Sequence, residues 1–337
     1  MVLVGAVTLP HAGISFDGEG AASPSESCRR RYAGLPQELQ TTLTDLFKCI
    51  VKTCQNAASL KPDLVVLHTP HGISLSKSLG VYLNDVAKGD ATWKDEWADF
   101  KVEVPLDKAM SEKIIEHLET EGINVQGVRT FDVLETPLRW GEVIPLWYLN
   151  REFENTHKHP KYVIISQPIK EIAVKDVMID IGRSLGRYFD QTKFRTLFVV
   201  SGDLSHAHFN HYKNLPYYSP DPKWALPQSS CKAELFDCAI VSWVISQPKN
   251  SESKTTSNGV WNVANAHYWL SKAEELEKEA YSCGLGGFFV LHGILSQCNK
   301  PIYSRMFGRF APFYYGMMAS SFIIKMKTLQ YEHQVFS

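Results

Sequence analysis

Thr196-Leu197-Phe198-Val199-Val200-Ser201-Gly202-Asp203-Leu204-Ser205-His206 passes within one residue from strand-forming side chains to small and polar ones. A short apolar run bounded by turn residues reads as a buried strand, here Thr196 to Val200, followed by a loop. The same sentence is written twice more. Val2 to Leu9 runs into Pro10-His11-Ala12-Gly13, and Leu64 to Leu67 runs into Thr69-Pro70-His71-Gly72. In an open α/β sheet ligands bind at the carboxyl ends of the strands, so His11, His71 and His206 are expected to converge although far apart in sequence. Three imidazoles at one edge outline a metal or acid–base site.

Outward from these runs the pattern alternates. Pro36 to Ala58 carries Leu39, Leu43, Leu46, Phe47, Ile50 and Val51 at helical spacing. Further helices are expected over Met110 to Glu121, from about Trp140 through Phe153, and over Val174 to Phe189, Lys232 to Ile245, Ala264 to Tyr281 and Phe288 to Ser296. Tyr162 to Ser166 is a third strand and Ala319 to Lys327 a closing one. Gly18 to Arg31 reads as a loop, Leu75 to Phe100 as an excursion, and the polar 246–260 stretch as a flexible insertion. The fold class is therefore α/β, one large domain over 1–330.

Composition narrows the function. With 337 residues and 44% hydrophobic content the chain can bury a large core. A formal charge of −1 gives no field for nucleic acid or an anionic membrane surface, so small molecules or proteins, including a second copy, are the expected partners. Seven cysteines, odd in number and without a C-x-x-C pair, indicate neither a disulfide framework nor a zinc ribbon. No stretch approaches the length of a membrane span, and a basic leader is not seen, so a reducing, cytoplasmic setting is expected.

His11 and His71, each beside Pro and Gly, are candidate metal ligands. His206 is a candidate proton carrier, with Asp203 to hold its tautomer. Cys283, in Ser282-Cys283-Gly284-Leu285-Gly286-Gly287, can face a cleft as a thiolate, and Glu279 one helical turn earlier is the alternative ligand. His208 and His211 read as surface or supporting residues, because Asn210 stands where a binuclear histidine cluster would need aspartate. Phe307, Phe310, Phe313, Tyr314 and Tyr315 line a pocket, a subunit contact or the core.

Taken in order, Pro10-His11, Thr69-Pro70-His71-Gly72, Trp140-Gly141-Glu142-Val143-Ile144-Pro145-Leu146, Ser201 to His206, Cys283-Gly284-Leu285 and Ala311 to Met317 make a set that resembles the class III extradiol dioxygenase superfamily. That is the superfamily of the protocatechuate 4,5-dioxygenase catalytic subunit and its Memo-like relatives. The resemblance implies a single three-layer α/β/α domain around a mostly parallel or mixed sheet. It also implies non-haem Fe(II) held by His11, His71 and a third ligand, a catechol-type substrate bound near Trp140 and Tyr315, and His206 with Asp203 in proton transfer. Ring-cleaving members carry Asp-His where Arg139-Trp140 stands here, and Memo-like members place a cysteine near Cys283. A two-His, one-Cys set suits Zn or Cu(I) better, so the resemblance also admits a non-enzymatic binding, signalling or redox protein.

Overall fold

Alternation along the central strands decides which side chains meet which layer. In β2 (Leu64–Thr69), Leu64 and Val66 join one core and Val65 and Leu67 the other; β9 (Arg195–Ser201) divides the same way between Phe198, Val200 and Leu197, Val199. Both sets are apolar, so both faces of the sheet must be covered. The first packs with α3 (Lys108–Thr120), α5 (Lys175–Gln191), α6 (Lys232–Val244), α7 (Val263–Ala280) and α8 (Leu285–Ser296). The second packs with α2 (Gln37–Ser59) and α4 (Trp140–Asn155). The result is the expected three-layer α/β/α arrangement, seen in a computed structural model that describes residues 2–131, 134–168, 175–212, 214–215, 229–247 and 259–325.

The large sheet has nine strands in the order β10 (Gly259–Val260), β11 (Ile302–Phe310), β12 (Met317–Ile324), β1 (Val2–Leu9), β9, β2, β8 (Lys161–Ser166), β3 (Leu79–Tyr82) and β6 (Val125–Val128). Its centre, β1-β9-β2-β8, is parallel, whereas β12 on one side and β3 on the other pair antiparallel, so the sheet is mixed. Strands β4 (Val86–Asp90), β5 (Lys101–Pro105) and β7 (Thr136–Leu138) form a second, small sheet. Among the described residues no helix is long and apolar enough to cross a membrane.

Two segments differ from their sequence reading. Gly18 to Arg31 is not a plain loop: 3-10 turns over Gly13–Ala22 lead into α1 (Glu26–Ala33). The cause is a buried ion pair that composition cannot announce. Arg31 Nη2 lies 2.8 Å from Asp17 Oδ1, Trp97 Nε1 donates to the same oxygen at 3.1 Å, and Glu96 pairs with the other side of the guanidinium. Asp17 is fully buried, so this network ties the segment to the small sheet's flank and cannot open without stranding a charge. The Leu75 to Phe100 excursion contains β3 and β4, strands of four and five residues, too short to show a period. The closing strand ends at Ile324, and the 248–258 part of the expected insertion lies outside the described residues.

The closest helix contact sets the position of α8. A Cβ on Gly182 of α5 would fall 2.0 Å from Val290 O of α8, and one on Gly293 would fall 2.1 Å from Ile179 O. The two helices thus meet backbone to backbone, which fixes the turn ahead of α8 that carries Cys283.

Candidate metal centre

Register brings the histidines together. β1 and β9 pair Leu9 with Ser201, and β2 and β9 pair His68 with Val200. Three parallel neighbours therefore end at one level, and the residues just past them, His11, His71 and Gly202 to His206, share one edge.

His11 is the most buried of the three histidines, 3% exposed. Its Nδ1 lies 3.0 Å from Ser201 Oγ, whose proton is given to Gly141 O, so the hydroxyl accepts from Nδ1–H and leaves the Nε2 lone pair outward. Nε2 faces Cys283 Sγ at 3.3 Å and Asp203 Oδ2 at 3.4 Å. Burial pushes the His11 pKa down to about 3, which keeps the ring neutral as ligation requires. Ser201→Ala removes the group that sets this tautomer. Metal affinity is expected to fall roughly 10- to 100-fold with the fold retained, as for loss of other outer partners of ligating histidines; competition against a chelator measures it, and an unchanged affinity would refute the assignment.

His71 reaches the same point from β2. Its ring is 4.7 Å from that of His11, edge to face, and 5.7 Å from Trp140, which in turn meets Trp93 at 4.8 Å. Trp140 can approach because the next residue is glycine: a Cβ on Gly141 would come within 2.7 Å of His71 Cβ. The turn after His71 is held from α4. Ile73 N donates to Tyr82 Oη at 2.8 Å, and Tyr82 donates to Glu142 Oε1 at 2.9 Å, while Glu142 Oε2 accepts from Arg139 N at the start of α4.

Glu142 is 1% exposed, and burial raises its carboxyl pKa to about 7 despite these bonds. A folded pKa above the unfolded value near 4.5 means that the contribution of this carboxyl to stability is fully present below pH 4.5 and is lost as pH rises through 7. The difference corresponds to about 3 kcal/mol. Glu142→Gln is therefore expected to lose less stability than the parent protein between pH 5 and 8 in urea melts; parallel profiles would contradict it.

Cys283 is placed by the meeting of two turns. Tyr281 ends α7 in the left-handed region at φ 55°, Gly284 N and Ser282 Oγ both donate to Asp203 O at 3.0 Å, and Asp203 N donates to Cys283 Sγ at 3.3 Å. A Cβ on Gly202 would meet Gly284 Cα at 2.6 Å, so glycine at both positions permits the contact. Burial pushes the Cys283 thiol well up, with Asp203 adding to the effect, so the sulfur stays protonated until a cation draws it to thiolate. Asp203, 4% exposed, is raised to about 6 by burial, with His206 pulling the other way.

Donor atoms of His11, His71 and Cys283 all lie within 4.8 Å of one another, and so do those of Asp203, His206 and Cys283. Buried neutral imidazole, an outward lone pair and a thiol suit a cation, and the set is softer than two histidines with a carboxylate. Glu279 is not among them. It is exposed on α7 and its Oε2 accepts from Ser230 Oγ at 3.3 Å, so the structure places this expected ligand outside the site. Tyr314 and Tyr315 stand 6.1 and 6.2 Å from the His206 ring.

Supporting residues were missed in the sequence. Asp237, fully buried in α6, accepts from Ser205 N at 3.0 Å and lies 2.9 Å from His208 Nε2 and 3.2 Å from Arg309 Nη1, so it braces the turn carrying His206. An aspartate between Phe236 and Ile240 on an inward helix face was its available signal. His208 is thus a supporting residue, and His211 is exposed.

Residues 31–249 match the family described as the catalytic LigB subunit of aromatic ring-opening dioxygenase. His71, Trp140, Asp203 and His206 fall inside that span, whereas His11 and Cys283 lie beyond it. No curated protein matches the sequence. Among solved structures, an uncharacterized protein from Escherichia coli K12 is similar over 94% of this chain and 99% of its own, with TM-score 0.50 and 13% identity, a likeness of fold.

Proposed function

The chain belongs to the family of the catalytic LigB subunit of aromatic ring-opening dioxygenase, and from that premise we propose that it holds a metal ion through His11, His71 and Cys283 and opens catechol-type diols with O₂. The observation that carries this reading is the His11 Nε2 lone pair, turned by Ser201 toward Cys283 and within reach of His71. A bound ion, Fe(II) in this reading, would supply Lewis acidity and a common seat for diol and dioxygen. His206 takes the proton of a diol hydroxyl, and the neighbouring Asp203 carboxylate favours the imidazolium that results. Trp140 beside His71 and Tyr315 beside His206 present flat apolar surfaces to an aromatic ring. The seven cysteines are all unpaired, which suits the reducing cytoplasm as location.

The test is oxygen uptake by anaerobically prepared, Fe(II)-loaded protein across a panel of catechols, with His206→Gln as control. Diol-dependent uptake that falls 100-fold or more in the variant while metal is retained supports the reading, a loss within the range of general acid–base catalysis. Full iron occupancy without uptake refutes ring opening. Cys283 among the ligands and Trp140 in the neighbouring wall favour a second reading in that case, a Memo-like metal protein that binds rather than oxygenates.

A further inference from the structure

Between β4 and β5 of the small sheet the chain makes a hairpin arm, 91–100, to which the proposed function gives no part. At its base Ala91 N donates to Phe100 O at 3.0 Å, and at its tip Trp93 and Glu96 exchange two backbone hydrogen bonds of 3.0 Å. The two residues between them, Lys94 and Asp95, stand at φ 49° and 63°, and Trp97 follows at 59°. A two-residue turn of this hand is normally made by Asn-Gly, so residues with bulkier side chains hold it here at a cost in free energy. Strain of this kind persists only where the surroundings over-determine it, and it gathers at ligand clamps. We propose that the arm serves as one: Trp93 is a specificity-determining residue, which by holding Trp140 in place restricts the site to single-ring diols. This rests on the reading that a catechol-type diol binds beside Trp140.

The arm is anchored on one side and presents a ring on the other. Trp97 is 3% exposed: its Nε1 bonds Asp17 Oδ1 at 3.1 Å, the Arg31 guanidinium lies 4.7 Å from its ring, and Gly13 of the His11 turn meets it so closely that a Cβ there would come within 2.8 Å. Glu96 pairs with Arg31, and Phe100 stacks on Phe16 at 3.7 Å. Because the buried Asp17–Arg31 pair cannot open without stranding a charge, the arm does not yield. What this anchorage delivers is Trp93, half-buried, its ring 4.8 Å from that of Trp140, which is 5.7 Å from His71. Trp140 is thus flanked by His71 and Trp93. A second ring attached to the diol would enter on that side only by displacing Trp140, and Trp93 occupies the space into which Trp140 would move.

Binding of catechol and of 2,3-dihydroxybiphenyl to the Fe(II)-loaded full chain tests this, read by equilibrium dialysis under argon so that no turnover is needed. The parent is expected to favour catechol. Trp93→Ala should narrow that preference about 10-fold or more through tighter binding of the two-ring diol, and Trp93→Phe, which keeps a flat ring against Trp140, should retain it. Equal preference in the parent and Trp93→Ala overturns the proposal and leaves ring opening standing. Weaker binding of both diols by the same factor overturns it as well, being what a merely structural role gives. A parent that binds neither diol overturns the reading of the site and the proposal with it. Circular dichroism checks the stack itself: the parent should show the paired ultraviolet bands of two coupled indoles, lost in Trp93→Phe and Trp140→Phe alike, and their persistence in either variant contradicts the contact on which the proposal stands.

Discussion

His11→Ala is expected to abolish the proposed metal binding: affinity should fall by more than about 100-fold, beyond the range seen when only an outer partner is lost. The ring does three things at once. It offers Nε2 beside Cys283 Sγ, it fills a buried site at the end of β1, and it occupies Ser201 Oγ through Nδ1. Alanine supplies none of these and leaves the Asp203 carboxylate with one fewer neighbour. Metal content after dialysis against a weak chelator measures the effect. A variant that keeps full occupancy would remove His11 from the site and with it the main support for the proposed function.

Gly182→Ala is expected to destabilise the fold by about 3 kcal/mol, the upper part of the usual range for overpacking. Helix propensity argues the other way, since alanine is better than glycine in a helix interior by about 1 kcal/mol. Here the steric term wins because the new methyl would sit 2.0 Å from a carbonyl oxygen and 2.9 Å from Gly293 Cα, backbone atoms that cannot rotate aside. The helices must part, and α8 carries the Cys283 turn with it, so weaker metal binding should accompany the shift in urea midpoint. Stability within 0.5 kcal/mol of the parent, about the scatter of neutral surface changes, would sink the argument.

The two effects lie on different links of the same chain of cause. His11 acts at the site itself, while Gly182 acts on the packing that delivers Cys283 to it. Both faces of β2 and β9 are apolar, and that requirement for cover is what seats α5 and α8 against the sheet.

Most of the secondary structure was legible because its signals are local. The Leu39, Leu43, Leu46, Ile50 stripe makes α2, and the Thr196 to Ser201 run makes β9. The three histidine-bearing turns were legible for the same reason, since a strand that stops in small and polar residues declares its own end. What escaped was short or non-local. Strand β3 has four residues, and α1 exists beside a buried Asp17–Arg31–Glu96 network in which Arg31 and its partner Glu96 lie 65 positions apart. Asp237 was hidden inside an apolar helix, and Ser201 inside the very motif that was read, because a hydroxyl's role depends on which ring and which carbonyl it meets.

By itself the sequence determined an α/β alternation, the level at which His11, His71 and His206 leave the sheet, and the residue types on offer there. Only the tertiary structure shows which of Cys283 and Glu279 faces His11. Both lie near the junction of α7 and α8, but the left-handed cap at Tyr281 and the Gly202–Gly284 contact turn the cysteine inward, while Glu279 stays on the exposed face of its helix. Choosing between them required knowing which side of a helix end faces a strand eighty residues away, and helical periodicity carries no such information.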